Sequence, residues 1–174
     1  MKNLKKTLEE LDRISVSGYK QLEKNQIVVI LDNVRSAHNV GSVFRTCDAF
    51  LVEKLVLCGI TPQPPNNEIH KTALGATESV EWQYFEKTED AINYLRDEQY
   101  QLYSIEQANN SIALNSFTKL HKKKIAFIFG HEVYGVEQKV IDFCDGCIEI
   151  PQFGTKHSLN VSVCVGITLY YMVF

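Results

Sequence analysis

Residues 27–45 read IVVILDNVRSAHNVGSVFR, and their order decides the fold. Ile27 to Ile30 are β-branched and no polar residue interrupts the run to Leu31, the mark of a strand covered on both faces. Asp32 to Ser36 then turn polar, and Val40, Val43, Phe44 and Cys47 recur at helical spacing. Strand, polar turn and helix together make the half-unit of a parallel sheet.

The same grammar repeats along the chain. KLVLCG (Lys54–Gly59) is a strand, and TPQPPNN (Thr61–Asn67) is a loop, because its prolines remove donors and fix φ. EIHKTALGA reads as a short helix, ESVEWQYF as a strand, KTEDAINYLRDEQ as an amphipathic helix and YQLYSIE as a strand. KIAFIFG (Lys124–Gly130) is a buried strand, VEQKVIDFC a helix, CIEIP a last strand and Val161–Phe174 a buried helix. The alternation predicts an α/β domain over residues 26–174, with a mostly parallel sheet and helices on both faces. Residues 1–25 fall outside the rhythm and read as a charged helical appendage.

Composition narrows the class. With 45% hydrophobic and 22% charged residues, the chain reads as one globular domain. No charged start followed by an apolar stretch marks a cleavable signal, and Val161–Phe174 is shorter than the ~20 residues a bilayer span needs. No membrane partner is therefore expected. The net charge of −3 exerts no global pull on nucleic acid, although KNLKK and Lys119–Lys124 concentrate basic side chains. The five cysteines form no framework; Cys144 and Cys147 make one C-x-x-C without the further ligands zinc requires. Free thiols without a signal point to a reducing, cytoplasmic setting.

In open α/β sheets, ligands bind beyond the carboxyl ends of strands. Three strands end in polar, glycine-bearing turns: NVRSAHNVGSVFR, GHEVYGV and PQFGTKHSLNVS. Each has a purely structural reading. Asn39 can cap a helix, Gly41 can pack one closely, Arg45 can be an exposed helix residue, Glu132 can favour a helix dipole and Ser158 can cap the final helix. Their joint occurrence favours a site. No phosphate loop, dinucleotide fingerprint, zinc H-E-x-x-H or nucleophile elbow is present.

Taken together, NVRSAHNVGSVFRTCDAF, FIFGHEVYGV and IPQFGTKHSLNVSVCVGI resemble motifs 1, 2 and 3 of the SpoU (TrmH-like) RNA ribose 2′-O-methyltransferases of the SPOUT superfamily. TALGATESVEW resembles the segment between the first two motifs. The resemblance implies a C-terminal deep trefoil knot, a homodimer and S-adenosyl-L-methionine as cofactor, with no metal. It implies RNA as substrate, with tRNA ahead of rRNA. Other readings are a non-catalytic RNA-binding module of this fold and a small-molecule-binding α/β protein. By the same likeness Arg45, Asn39, Glu132, Ser158 and Asn160 form the catalytic set. Gly130, Gly135 and Gly154 would let backbone approach the cofactor, Ile150 and Leu159 would meet its adenine, and Asn160 would contact it too. A guanidinium stays protonated, so Arg45 suits binding a phosphate and orienting the ribose hydroxyl. Ser158 and Asn160 would hold Arg45 and the ribose.

Overall fold

The computed structural model describes residues 2–7, 9–118 and 123–174. Seven strands form one sheet: β1 (Asn25–Asp32), β2 (Val52–Cys58), β3 (Trp82–Phe85), β4 (Gln101–Ile105), β5 (Ile112–Ala113), β6 (Ile125–Phe129) and β7 (Gly146–Glu149). The order is β3-β2-β1-β6-β4-β7-β5, and every named pair is parallel. β6 is inserted between β1 and β4, so Ile27 sits beside Ile125 and Gln101 beside it on the other side.

Side-chain alternation splits β1 between two cores. Val29 and Leu31 face α2 (Ala37–Ala49) and α7 (Val161–Val173), sharing a cluster with Phe44, Phe127, Val165 and Leu169. Val28 and Ile30 face the opposite side, with Ile92 and Leu95 of α5 (Thr88–Asp97) and Val140 of α6 (Gln138–Phe143). The unbroken β-branched run is thus the direct cost of covering a parallel strand twice. The first core is extended by α1 (Val16–Gln21) through Tyr19, by α3 (Asn67–Ala73) through Ile69 and by α4 (Ala76–Ser79) through Ala76.

Two expectations change. Among the described residues, the charged start carries one 3₁₀ turn at Glu9–Leu11, and the α-helix of the 1–25 appendage is confined to the stretch after Ser15, whose side chain accepts the Gly18 N–H. Described residues before Gly18 are all exposed, and an isolated short helix without a buried face is marginal in water. Glu78 and Ser79 belong to α4, not to the following strand, because Ser79 turns inward and donates to Asp48. Residues 119–122 of the basic Lys119–Lys124 stretch lie outside the described residues; Lys124 lies over the Tyr100 ring and donates to the Glu98 carbonyl.

The C-x-x-C spans the end of α6 and β7. Cys144 donates to the Val140 carbonyl and Cys147 to that of Glu106; burial pushes the Cys144 thiol up to about 12 and raises Cys147 as well. Both are therefore protonated, weak nucleophiles at neutral pH.

Gly41 packs α2 against α3 at a distance that excludes any side chain. An added Cβ would lie 2.1 Å from Thr72 Oγ1 and 2.4 Å from the Ile69 carbonyl oxygen. The helical reading of Gly41 as a packing residue is the one the fold uses. Gly41→Ala is expected to destabilise the protein by about 2 kcal/mol, the scale of overpacking in a closed core. Urea unfolding would measure it, and unchanged stability would mean that α3 can move away freely.

Candidate active site

The polar turns converge on one carboxylate. Glu132, in the loop after β6, accepts the Arg35 N–H at 3.0 Å on one oxygen. Its other oxygen accepts the Ser36 N–H and the Asn39 side-chain amide, both at 2.9 Å. Ser36 caps α2 and Asn39 lies in its first turn, so the charge sits where the helix leaves donors unpaired. Asn39 Oδ1 in turn accepts from Asn160 Nδ2 at 3.1 Å. Asn160 caps α7, its Oδ1 accepting the Ser162 N–H at 2.9 Å and the Ser162 hydroxyl at 2.6 Å. Donors and acceptors run in a single relay from Ser162 to Glu132.

This relay borders an open cleft of about 260 Å³, just below the ~300–1,000 Å³ usual for ligand sites. The loops after β6 and β7 form two of its sides. Ile105, Phe129, Ile150, Leu159 and Val161 give it an apolar lining suited to a flat base. Glu106, His157 and Ser158 supply polar groups for a sugar and an amino-acid tail. That mixture fits S-adenosylmethionine. Among the described residues no group of three or more His, Cys, Asp or Glu could hold a metal ion, and no helix is long and apolar enough to cross a membrane.

The residues expected at the site are not all gathered there. Gly130, Glu132, Gly135, Ile150, Ser158 and Leu159 line the cleft, while Asn39 and Asn160 join it through the relay. Gly154 does not line it, and a Cβ there would meet open space. The tight glycines serve the loop itself. His131 and Gly135 pair through reciprocal backbone hydrogen bonds of 3.0 and 2.8 Å, with Gly135 at φ +68°. A Cβ on Gly130 would lie 2.1 Å from the Gly135 carbonyl carbon, so a bulky residue there would break the loop whether or not a ligand touches it. Arg45 projects from the exposed side of α2, and neither Ser158 nor Asn160 holds it. Two lining residues, Glu106 and Gln107, escape motif reading. Their signal is position alone: they follow directly on β4, at the carboxyl edge where ligands bind.

Burial pushes the Glu132 carboxyl upward, but the N–H donors of Arg35, Glu132 and Ser36 and the Asn39 amide outweigh it and hold the pKa below the ordinary value. A depressed carboxyl stabilises the fold above its unfolded pKa of ~4.3, and that contribution is lost as pH falls through the folded value. Glu132→Gln, which turns an amide toward backbone donors, is expected to cost about 1–3 kcal/mol at neutral pH. It should also flatten the acid limb of stability, as read from thermal melts between about pH 3 and 8. Parallel acid limbs in the two proteins would remove Glu132 from this role.

The family model for the SpoU rRNA methylase family matches residues 26–170. The chain is 31% identical over 155 residues to the tRNA (guanosine(18)-2′-O)-methyltransferase of Aquifex aeolicus, covering 86% of this chain and 70% of that one. To the enzyme of the same name from Thermus thermophilus it is 28% identical, covering 83% of this chain and 72% of the relative. Among solved structures, an AdoMet-bound rRNA methyltransferase from Sinorhizobium meliloti superposes with a TM-score of 0.80 at 25% identity. That match covers 88% of this chain and 59% of the other, so the chain spans well under two thirds of that protein. The mostly parallel sheet flanked by helices is consistent with the knotted α/β fold of these proteins. The chain belongs to the SpoU rRNA methylase family.

Proposed function

We propose that the protein transfers a methyl group from S-adenosylmethionine to a ribose 2′-hydroxyl of RNA, with tRNA as the substrate. The observation that carries this reading is the relay of Glu132, Asn39 and Asn160 at the edge of a cleft with apolar and polar sides. That the Aquifex and Thermus relatives are tRNA (guanosine(18)-2′-O)-methyltransferases supports tRNA, and ribosomal RNA is the competing acceptor. Residues 26–174 would be the methyltransferase unit, and residues 1–25 an appendage anchored by Tyr19.

The chemistry supplied by the cofactor, when bound, is a methyl group activated on a sulfonium. Gly130, Gly135, Ile150, Ser158 and Leu159 would hold it in the cleft. Glu132, ionised and occupied by three donor groups, organises the loops and is a poor proton acceptor. Arg45, exposed on α2, is available to bind an RNA phosphate through its planar guanidinium and to orient the adjacent ribose hydroxyl.

A homodimer belongs to the same proposal. The buried side of α7 carries Val161, Val165, Leu169 and Met172. Its other side is apolar too: Val163, Ile167, Tyr170 and Phe174 are 47%, 38%, 63% and 76% exposed, spaced as one helical stripe. The stripe adjoins an apolar groove of about 510 Å³ that includes Leu114, Ile150 and Pro151. A patch of this kind is characteristic of an interface, and a twofold axis lets it meet its own copy. Ile167→Asp is expected to convert a dimer to a monomer in sedimentation at micromolar concentration. A wild-type monomer would end the dimer proposal.

The activity test is Arg45→Ala. Methyl transfer in single turnover should fall by at least ~100-fold, the scale of a lost positioned electrostatic group, while cofactor affinity stays near normal. Arg45→Lys should recover little, because a point charge does not reproduce the planar fork. Unmodified bulk tRNA and ribosomal RNA are offered side by side. Transfer to ribosomal RNA alone would overturn the tRNA assignment, and full activity of Arg45→Ala would overturn the role of the arginine.

A further inference from the structure

Glu106 and Gln107 stand where both cleft loops can be reached from one strand end. One oxygen of the Glu106 carboxylate accepts the Gln107 N–H at 2.8 Å, and the other accepts the Val136 N–H at 3.0 Å. The fit against the loop after β6 is close: a Cβ on Gly135 would lie 2.2 Å from Glu106 Oε2. Gln107 donates from its side chain to the His157 carbonyl at 2.7 Å, fixing the loop after β7. These two adjacent side chains therefore hold both loops in register.

Glu106 also has capacity left over. A carboxylate offers about four acceptor positions, and the protein uses one on each oxygen. The other carboxylate of the cleft, Glu132, is committed to Arg35, Ser36 and Asn39. His131 Nδ1 is likewise taken, accepting the N–H groups of Val133 and Tyr134. Glu106 shares the cleft with the apolar Ile105, Phe129 and Val161. A base lying on that lining brings its attached sugar to the carboxylate, whose two oxygens match a pair of neighbouring hydroxyls.

We propose that Glu106 accepts hydrogen bonds from the ribose hydroxyls of the cofactor, while Gln107 holds the loop after β7 closed over it. Glu106 is then a binding residue and Gln107 a positioning residue. The inference rests on the cleft being the S-adenosylmethionine site. Its consequence is selectivity: the cleft distinguishes a ribonucleoside cofactor from its deoxy counterpart through one side chain.

Calorimetric binding of S-adenosylhomocysteine and of its 2′,3′-dideoxy analogue tests this without any methyl transfer. The wild-type protein should prefer the ribose form by ~10-fold or more, as one or two hydrogen bonds to a charged acceptor require. Glu106→Gln should weaken the ribose form and reduce the preference to less than ~2-fold, whereas a purely structural role would weaken both ligands alike. Gln107→Ala should weaken both ligands equally and leave the preference intact. Equal affinity of the wild-type protein for the two ligands overturns the proposal whatever the variants do. So does an undiminished preference in Glu106→Gln, or loss instead of its preference for S-adenosylhomocysteine over 5′-methylthioadenosine, which would place the carboxylate at the amino-acid end. Unchanged affinity in Gln107→Ala removes the positioning role. A wild-type protein that binds none of these ligands would fail earlier, at the cofactor assignment itself.

Discussion

A carboxylate at the mouth of a helix organises the cleft edge of this protein. Glu132 reaches across from the loop after β6 and gathers the first donors of α2, which would otherwise face a half-buried turn unpaired. The interaction fixes the turn after β1, orients Asn39 and, through Asn39, sets Asn160 at the head of α7. Three segments that share no sequence proximity become one surface. The negative charge suits the positive end of the helix dipole, so placement and electrostatics agree.

Much of the fold is legible in the sequence because parallel strands buried on both faces have little choice of residue. Ile27–Leu31 and Ile125–Phe129 could be read from composition alone, and Val40, Val43, Phe44 and Cys47 outlined the buried side of α2 by spacing. Strand order was not legible in this way. Nothing local to β6 says that it enters between β1 and β4, since both of its faces are apolar and carry no register signal. The charged start is the opposite case: its helix propensity is real, but its described residues before Gly18 bury no face to support a longer helix. β5 is two residues long and paired only to β7, too short for any periodicity to mark.

The site was legible as a set of motifs, less so as a geometry. Asn39, Glu132 and Asn160 meet as three polar residues at strand ends and helix starts should, and their roles as mutual partners explain why short polar side chains precede an apolar helix. The glycines taught a different lesson. Gly130 and Gly135 are required by the loop’s own backbone and by Glu106, and Gly154 by neither. Glu106 and Gln107 carried no motif at all, because what distinguishes them is the meeting of two loops that only the assembled sheet brings within reach.

The relay would also make the proposed activity an all-or-none gauge of foldedness. Asn39 and Glu132 are 93 positions apart, and Asn39 and Asn160 are 121 apart. Such contacts close late, because the entropy of joining distant segments must be met before they contribute. A fragment lacking either partner of such a bond would present no relay. In a partly denatured population, residual turnover would count intact molecules rather than measure a graded loss in each one.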